Sequence, residues 1–272
     1  MKVKSNAKLN LNLKVVGKIG NLHELESIMV PINLYDYIEI KESKEDRIFG
    51  MDIPFETNLL YKALCKVRSL FKIDKHIEIT IDKNIPIFSG MGGGSGNAAA
   101  VILALNELWN LKMTTDEMVS IGKEIGSDVP FFIINKPSYV YGTGEKIVQI
   151  NNFPKVRGVL VFDDDKASTK EVFENVDKFP FSNKKEVGIE NGMDYSIYNI
   201  EYVNDLEKGL DEGMYEKVQS IKSDLKSYGA LYTLMTGSGG CVFGVFESEE
   251  NIERCRTMLS KKYKIVCKFE TL

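Results

Sequence analysis

The sequence predicts an α+β protein built from two domains. Its 272 residues suffice for one large domain or two of ordinary size. Strand-like alternation and helix-like periodicity occur in both halves of the chain, which is typical of mixed architectures. Residues 151–156 are mostly polar and contain Pro154, so they are the best candidate for a linker. We therefore place the domains at residues 1–152 and 153–272.

Composition narrows the class of protein. Hydrophobic residues make up 43% and charged residues 27% of the chain, values that argue against a disordered, fibrous or membrane-embedded protein. The 35 basic and 39 acidic residues leave a net charge of −4. This balance provides no general attraction for nucleic acid or anionic lipid. We expect neither as a partner, and any phosphate ligand must be held by local groups.

The cysteines and the first residues suggest a location. No two of the four cysteines form a Cys-x-x-Cys pair and the two histidines lie far apart, which disfavours a zinc site. Residues 1–8 lack the apolar stretch of a signal peptide, and the longest apolar run, 98–105, is too short to span a bilayer. We expect reduced thiols and a cytoplasmic protein.

The N-terminal elements begin with a strand. Residues 8–16 alternate, with leucines and a valine on one face and Lys8, Asn10, Asn12 and Lys14 on the other. The simplest interpretation is that this polar face is exposed to solvent. A turn is predicted at residues 17–21, followed by strands at 26–33 and 37–41.

Helices and strands then alternate. Thr57 and Asn58 can begin a helix whose apolar face carries residues 60, 63, 64 and 67. Residues 76–81 read as a strand and 98–109 as a buried helix. Thr114 and Glu117 form a capping box that opens a helix ending near Gly126.

The remaining elements follow the same criteria. Pro130 argues against helix continuation, so residues 131–135 and 139–150 are predicted as strands. In the second half, residues 158–162 are predicted as a strand, and a helix begins near Ser168. The end of the chain predicts strand, helix and strand at 241–246, 249–261 and 263–269.

A glycine-rich loop precedes the predicted helix at 98–109. Glycines at positions 90, 92–94 and 96 allow backbone amides to approach an anion closely, and a helix N-terminus adds electrostatic attraction. The spacing is neither a Walker A loop nor Gly-x-Gly-x-x-Gly. Spacing alone leaves two interpretations open, namely a phosphate site and a tight turn that packs the helix. For the second cluster, Gly237, Gly239 and Gly240, we favour a structural turn.

Asp128 and Lys8 are further candidates. Taken singly, Asp128 is most simply a turn residue and Lys8 an exposed lysine. Together they could perform phosphoryl transfer, with the carboxylate taking a hydroxyl proton and the ammonium orienting the hydroxyl or stabilising charge. Neither residue makes that case by itself.

The order of several motifs adds a family resemblance. Residues 7–13 read Ala-Lys-Leu-Asn-Leu-Asn-Leu, 86–100 hold the glycine loop, and 126–132 read Gly-Ser-Asp-Val-Pro-Phe-Phe. Weaker matches follow at residues 142–146, 169–173, 204–207 and 236–243. In this colinear order, which covers nearly the whole chain, the sequence resembles the GHMP kinases. Within them it is similar to the branch that phosphorylates 4-diphosphocytidyl-2-C-methylerythritol.

The resemblance implies a two-domain GHMP kinase fold with an active-site cleft between the domains and an antiparallel sheet in the second domain. It also implies ATP-dependent phosphorylation of the 2-hydroxyl of that cytidine diphosphate substrate, in the non-mevalonate (MEP) route of isoprenoid biosynthesis. Lys8 and Asp128 would be catalytic. The residues that would bind ATP are Pro86, Ser89, Gly90, Met91, Gly92, Gly93, Gly94, Ser95 and Gly96. Ser95 would also contact Mg²⁺, and the residues that would bind the substrate are Asn10, His23, Thr169 and Phe173.

The chain departs from the family pattern at three positions. Leu22 replaces a tyrosine that stacks on cytosine, Phe88 replaces a small residue, and Gly96 replaces a second serine. Lost base stacking can cost ~1–3 kcal/mol. Two alternatives therefore stay open: a GHMP kinase for another small alcohol, and an inactive nucleotide-binding regulatory module. We expect a monomer or a weak homodimer.

Overall fold

The computed structural model describes residues 1–51, 53–163, 167–184 and 196–272. The chain divides into two compact units, each assembled from separated segments. Unit 1 contains Met1–Ala7, Leu34–Ile87 and Gly92–Lys136. Unit 2 contains Lys8–Asn33, Phe88–Met91 and Pro137–Leu272. The linear boundary between residues 152 and 153 stays a prediction.

Two long strands, β1 (Lys2–Ile19) and β2 (Leu22–Ser43), pair with each other and contribute to both units. The turn between them is confined to Gly20 and Asn21, so it is shorter than predicted. The two strands expected at 26–33 and 37–41 are one continuous strand. Asp36, between the two predicted strands, is fully buried in β2 and accepts hydrogen bonds from the amides of Asn84 and Ile85. Its polarity is thereby satisfied without a turn.

Unit 1 combines a sheet with four helices. Residues 37–43 of β2 pair antiparallel with β4 (His76–Asp82), and β4 pairs parallel with β3 (Arg47–Phe49). The helices are α1 (Leu59–Phe71), α2 (Gly93–Leu108), α3 (Thr115–Ile125) and α4 (Val129–Ile134). The predicted cap and buried face of α1 and the capping box of α3 are confirmed.

The short helix α4 corrects a prediction. Residues 131–135 were expected to form a strand because Pro130 argues against a helix. Instead, Pro130 lies in the first turn of α4, where its missing N–H costs no hydrogen bond. Residues 129–133 are all buried, and a short, wholly apolar run carries no periodicity that separates helix from strand.

Unit 2 contains an antiparallel four-stranded sheet in the order β10, β7, β9, β8. The strands are β7 (Arg157–Phe162), β8 (Tyr232–Thr236), β9 (Cys241–Val245) and β10 (Ile265–Glu270). The helices are α5 (Thr169–Val176), α6 (Glu212–Ser227) and α7 (Glu249–Leu259), with a 3₁₀ helix at Asp205–Gly209. One apolar core joins Val159 and Val242 of the sheet to Ile221 of α6 and Ile252 of α7.

Unit 2 also includes the N-terminal part of β2, which pairs with β5 (Ser138–Gly142), and β5 pairs with β6 (Lys146–Gln149). These two strands and the strand–helix–strand at the C-terminus match the sequence prediction. The α+β class is thus confirmed. Within the part of the chain that the structure describes, no helix is both long and apolar enough to cross a bilayer.

Candidate active site

The glycine-rich loop leads directly into α2. The helix begins at Gly93, so residues 93–97, which were expected to form a loop, belong to its first turns. Helices α1, α3, α5, α6 and α7 each begin with a side chain that accepts a first-turn amide hydrogen bond. The N-cap residue of α2 is Gly92, which has no side chain to cap the helix. The first-turn amides of α2 therefore have neither an intrahelical acceptor nor a capping side chain, which suits an anion.

A cation lies beside this helix terminus. A Cβ placed on Gly93 would be only 3.3 Å from Lys83 Nζ. Lys83 donates to the carboxylate of Asp36, which also accepts from two backbone amides. Asp36 thus holds the ammonium group at the α2 terminus. Sequence reasoning missed Lys83, because an isolated lysine after a strand carries no local signal.

Close packing explains one departure from the family pattern. A Cβ on Gly96 would lie 2.9 Å from both the Asn6 carbonyl oxygen and Ser5 Oγ. Contacts this short leave no room for the serine that the family usually has at this position. The close packing of β1 against α2 therefore explains why position 96 is a glycine and not a serine.

In unit 2, the first half of the loop packs on the second glycine cluster. Gly90 has φ of +77°, and a Cβ there would lie 2.2 Å from the Thr236 carbonyl oxygen. A Cβ on Gly237 would in turn lie 2.8 Å from Gly90 Cα. The two backbones touch directly, a contact that only glycine allows on both sides. This packing supports the structural interpretation of the 237–240 turn.

Lys8 is buried rather than exposed. Only 3% of its surface is accessible, so the solvent-exposed interpretation of this face of β1 was wrong for Lys8, and Asn10, Asn12 and Lys14 are buried as well. The backbone N–H of Lys8 donates to the Met91 carbonyl at 3.0 Å, which ties β1 to the glycine loop. Its Nζ donates to Asn10 Oδ1. A buried ammonium group needs such partners to offset its lost hydration.

Asn10 is the centre of a buried hydrogen-bond network. Its Oδ1 accepts from Lys8 Nζ and from the Gly237 amide, the latter at 3.2 Å. Its Nδ2 donates to Ser27 Oγ at 2.8 Å, and its own backbone amide donates to Thr236 Oγ1 at 3.0 Å. Asn10 therefore joins Lys8 to the 237–240 turn. Its predicted contact with substrate stays a prediction.

Asp128 stands at the junction of α3 and α4. It occupies the N-cap position of α4 in a helical conformation, with φ −86° and ψ −13°, and is half-buried. Its backbone carbonyl accepts from the Phe132 amide at 3.4 Å. Asp128 belongs to unit 1 and Lys8 to unit 2. Their catalytic partnership is a prediction from the sequence.

The predicted substrate residues His23 and Phe173 lie together in unit 2. Their ring centroids are 4.7 Å apart at an interplanar angle of 31°. His23 Nε2 is 2.8 Å from Asp177 Oδ1, and Lys18 Nζ donates to the other carboxylate oxygen at 2.6 Å. Thr169, at the start of α5, shares a hydrogen bond of 2.7 Å with Ser238. Asp177 was missed, because an acidic residue after a helix is usually a solvated surface group.

Comparisons with known proteins decide the family. The profile described as "GHMP kinases N terminal domain" matches residues 58–136, and "GHMP kinases C terminal" matches residues 189–265. A protein of Clostridioides difficile (strain 630) named 4-diphosphocytidyl-2-C-methyl-D-erythritol kinase is 40% identical, over 98% of this chain and 93% of its own length. The chain belongs to the GHMP kinases. It is therefore an ATP-dependent kinase, as the motifs predict.

Other known kinases are similar to this chain over nearly its whole length. A protein of Syntrophus aciditrophicus (strain SB) with the same name is 37% identical, over 96% of this chain and 95% of its own length. A crystal structure of 4-(cytidine 5'-diphospho)-2C-methyl-D-erythritol kinase matches with a TM-score of 0.85 and 25% identity, covering 100% of this chain and 99% of that one. The mevalonate kinase of Methanococcus jannaschii, at 17% identity and a TM-score of 0.72, shares the fold. The predicted GHMP kinase fold is confirmed.

Proposed function

We propose that this protein transfers the γ-phosphoryl group of ATP to the 2-hydroxyl of 4-diphosphocytidyl-2-C-methyl-D-erythritol. The names of relatives that match nearly the whole chain support this substrate. The observation that carries the chemistry is the burial of Lys8, whose Nζ donates to Asn10 and whose backbone amide donates to Met91 of the glycine-rich loop. Burying a lysine side chain is costly, so a lysine that is buried with a specific hydrogen-bond partner is a candidate functional residue.

The nucleotide would be held by the glycine-rich loop. The uncapped first turn of α2 would donate its amides to the ATP phosphates, and Lys83 would add positive charge at the same terminus. The residues assigned to this role are Pro86, Ser89, Gly90, Met91, Gly92, Gly93, Gly94, Ser95 and Gly96. Local donors thus bind polyphosphate in a protein of net charge −4.

A magnesium ion fits this chemistry. Mg²⁺ binds ATP phosphates with one or two protein oxygens and several waters, so it does not need a cage of protein ligands. The Ser95 hydroxyl, in the first turn of α2, is the oxygen assigned to it. When bound, the ion would neutralise charge on the phosphates.

Lys8 and Asp128 would carry out the transfer. Asp128 accepts the proton of the 2-hydroxyl as the hydroxyl oxygen attacks the γ-phosphorus. A P–O bond forms to the substrate and the bond to the ADP oxygen breaks in line, without a covalent enzyme intermediate. Lys8 orients the hydroxyl and stabilises the developing charge. Most of the acceleration comes from positioning.

The cytidine end of the substrate would lie on the His23 side of unit 2. His23 would hydrogen-bond the edge of the cytosine, Phe173 and Thr169 would line the pocket, and Asn10 would also contact the substrate. The reaction would serve the non-mevalonate route to isoprenoids, in the cytoplasm, with the protein acting as a monomer or weak homodimer.

A second candidate keeps the kinase chemistry and changes the acceptor. Leu22 stands where the family has a tyrosine, and 61% of its surface is exposed. Stacking of a base on an aromatic side chain contributes ~1–3 kcal/mol, and an aliphatic side chain lacks the π-face that provides it. A smaller alcohol without a cytidine group would not need that ring. A nucleotide-binding module without catalysis is the weakest candidate, because both Lys8 and Asp128 are present.

The acceptor distinguishes these candidates. ADP formation by the full chain is measured with ATP and Mg²⁺, and with the cytidyl acceptor, mevalonate, homoserine or a sugar in turn. We expect that only the cytidyl acceptor increases the rate of ADP formation. Stimulation by a different alcohol would favour the second candidate. ATP binding without stimulation by any acceptor would favour the inactive module.

A further inference from the structure

Asp177 lies immediately after α5, the helix that carries Phe173. Its Oδ1 is 2.8 Å from His23 Nε2, and its Oδ2 accepts from Lys18 Nζ at 2.6 Å. The hydrogen bonds from Lys18 and His23 lower the pKa of the Asp177 carboxyl, so it is an anion at neutral pH. An ionised carboxylate only accepts hydrogen bonds. Nε2 of His23 must therefore carry the proton.

The His23 ring is held from two directions by one helix segment. Phe173 packs on its face at 4.7 Å between centroids, and Asp177 binds its Nε2 edge. The side chain of His23 is only 14% exposed. A face contact and an edge contact together fix the plane and the rotation of an imidazole ring.

The protonation of Nε2 determines what the other ring nitrogen can do. In a neutral imidazole with a proton on Nε2, Nδ1 has a free lone pair and is an acceptor. The 4-amino group of cytosine is a donor, whereas O4 of uracil at the same position is an acceptor. A fixed Nδ1 acceptor therefore distinguishes the two pyrimidines.

We propose that Asp177 is a positioning residue that holds His23 as the Nε2–H tautomer, so that Nδ1 accepts from the 4-amino group and selects cytosine over uracil. The inference rests on the proposed function, since it assumes that His23 reads the base. Lys18 supports Asp177 by binding its second oxygen. Neither Lys18 nor Asp177 needs to touch the substrate.

The tautomer can be measured without activity. The chain has two histidines, so ¹⁵N NMR of the imidazole rings at about pH 8 gives two resolved spin systems. We expect His23 to be wholly the Nε2–H tautomer in the wild type and to show both tautomers in Asp177→Leu. His76 is the internal reference and is expected to be unchanged. If wild-type His23 carries its proton on Nδ1, the inference about Asp177 is overturned and the proposed function is unaffected.

The selectivity is measured with the acceptor and its uridine analogue. The ratio of kcat/KM for the two is expected to fall ~10-fold or more in Asp177→Leu, through KM rather than kcat, and to be largely restored in Asp177→Glu. Glu174→Leu is the matched control, because Glu174 is an exposed acid of α5 whose carboxylate lies 3.8 Å from Lys170 Nζ. It is expected to keep the wild-type ratio.

The outcomes separate the two levels of the proposal. An unchanged ratio in Asp177→Leu, or an equal fall in Glu174→Leu, would overturn the inference while the kinase assignment stands. No phosphorylation of the cytidyl acceptor by the wild type would overturn the proposed function, and the assigned base selectivity with it.

Discussion

Lys8 shows how a residue that looks ordinary in the sequence acquires a special environment. The alternation of residues 8–16 predicts a strand, which is confirmed, but it also suggests a solvated polar face. The structure buries Lys8, Asn10 and Lys14 because other segments of unit 2 cover that face. Those segments are distant in sequence, among them Thr236 and Gly237, which bind Asn10. No local sequence pattern predicts that these distant segments pack on this face of β1.

The role of Lys8 can be tested against its neighbour on the same face. Lys8→Met is expected to lower kcat ~10²–10³-fold with a smaller change in the KM for ATP, because it removes charge stabilisation at the reacting group. The fold should persist, since Asn10 Oδ1, the acceptor of Lys8 Nζ, keeps its hydrogen bond from the Gly237 amide. Steady-state kinetics and a melting curve measure both.

Lys14→Met is the control for that variant. Lys14 is also buried on β1, but its Nζ pairs with Glu201 at 2.6 Å. We expect its kcat to stay near the wild-type value. An equal loss of kcat in the two variants, or no loss in Lys8→Met, would contradict the assignment of Lys8.

At the scale of elements, caps and periodicity predict much and tertiary context decides the rest. Helices α1 and α3 were predicted because their caps and apolar stripes are local signals. The short helix α4 and the continuous strand β2 were not predicted. Other segments of the chain bury the apolar run of α4 and donate the hydrogen bonds that Asp36 of β2 accepts. Helix α6 and strand β8 also had no prediction from the sequence. The start of α2 at Gly93 was not predicted because glycine is a poor helix former.

The packing of the two glycine clusters gives a prediction about Gly90. Gly90→Ala is expected to destabilise the protein by about 2–5 kcal/mol, because it combines left-handed strain with overlap on the Thr236 carbonyl. The KM for ATP should rise as the loop shifts. Urea unfolding and kinetics measure the two effects.

Gly20→Ala separates strain from overlap. Gly20 also has a positive φ, +61°, but nothing lies within 4 Å of a Cβ placed there. Gly20→Ala should lower the free energy of unfolding by only about 1–2 kcal/mol and leave the KM for ATP unchanged. Equal effects of the two variants would show that the contact with Thr236 contributes nothing.

Asp46, which immediately precedes β3, joins α1 to β4 in unit 1. Its carboxylate accepts two hydrogen bonds of 2.8 Å from Arg68 of α1 and one of 3.1 Å from the Ile77 amide of β4. Burial alone would raise the pKa of this carboxyl, but these hydrogen bonds outweigh it and lower the pKa from 3.8 to about 2. The ionised form is therefore favoured in the folded state.

The sign of this shift gives a pH dependence. A lowered folded-state pKa contributes stability above pH ~4, and that stability is lost as pH falls toward ~2. Asp46→Asn should reduce the free energy of unfolding by about 2 kcal/mol at pH 6, with the difference vanishing near pH 2. The exposed neighbour Glu45→Gln should change it by less than ~1 kcal/mol throughout. A gap for Asp46→Asn that persists at pH 2 would contradict this account.

For the whole molecule, the sequence predicted the class and the family but could not show how segments combine. Residues 8–33 belong to the same compact unit as residues 137–272, although more than 100 residues separate the two segments. This arrangement depends on pairing between distant strands, such as β2 with β5. The predicted boundary between residues 152 and 153 stays a prediction. Family membership was accessible because colinear motifs identify a fold without requiring its contacts to be derived.

The central claim is phosphoryl transfer to a cytidyl alcohol with Asp128 as the base. The most direct measurement is ³¹P NMR of ATP and 4-diphosphocytidyl-2-C-methyl-D-erythritol incubated with the wild type and with Asp128→Asn. We expect one new phosphomonoester for each ADP in the wild type, and a rate ~10²–10⁴-fold lower in a variant that is equally folded. ADP formed without the phosphomonoester, or an unchanged rate in Asp128→Asn, would contradict the account.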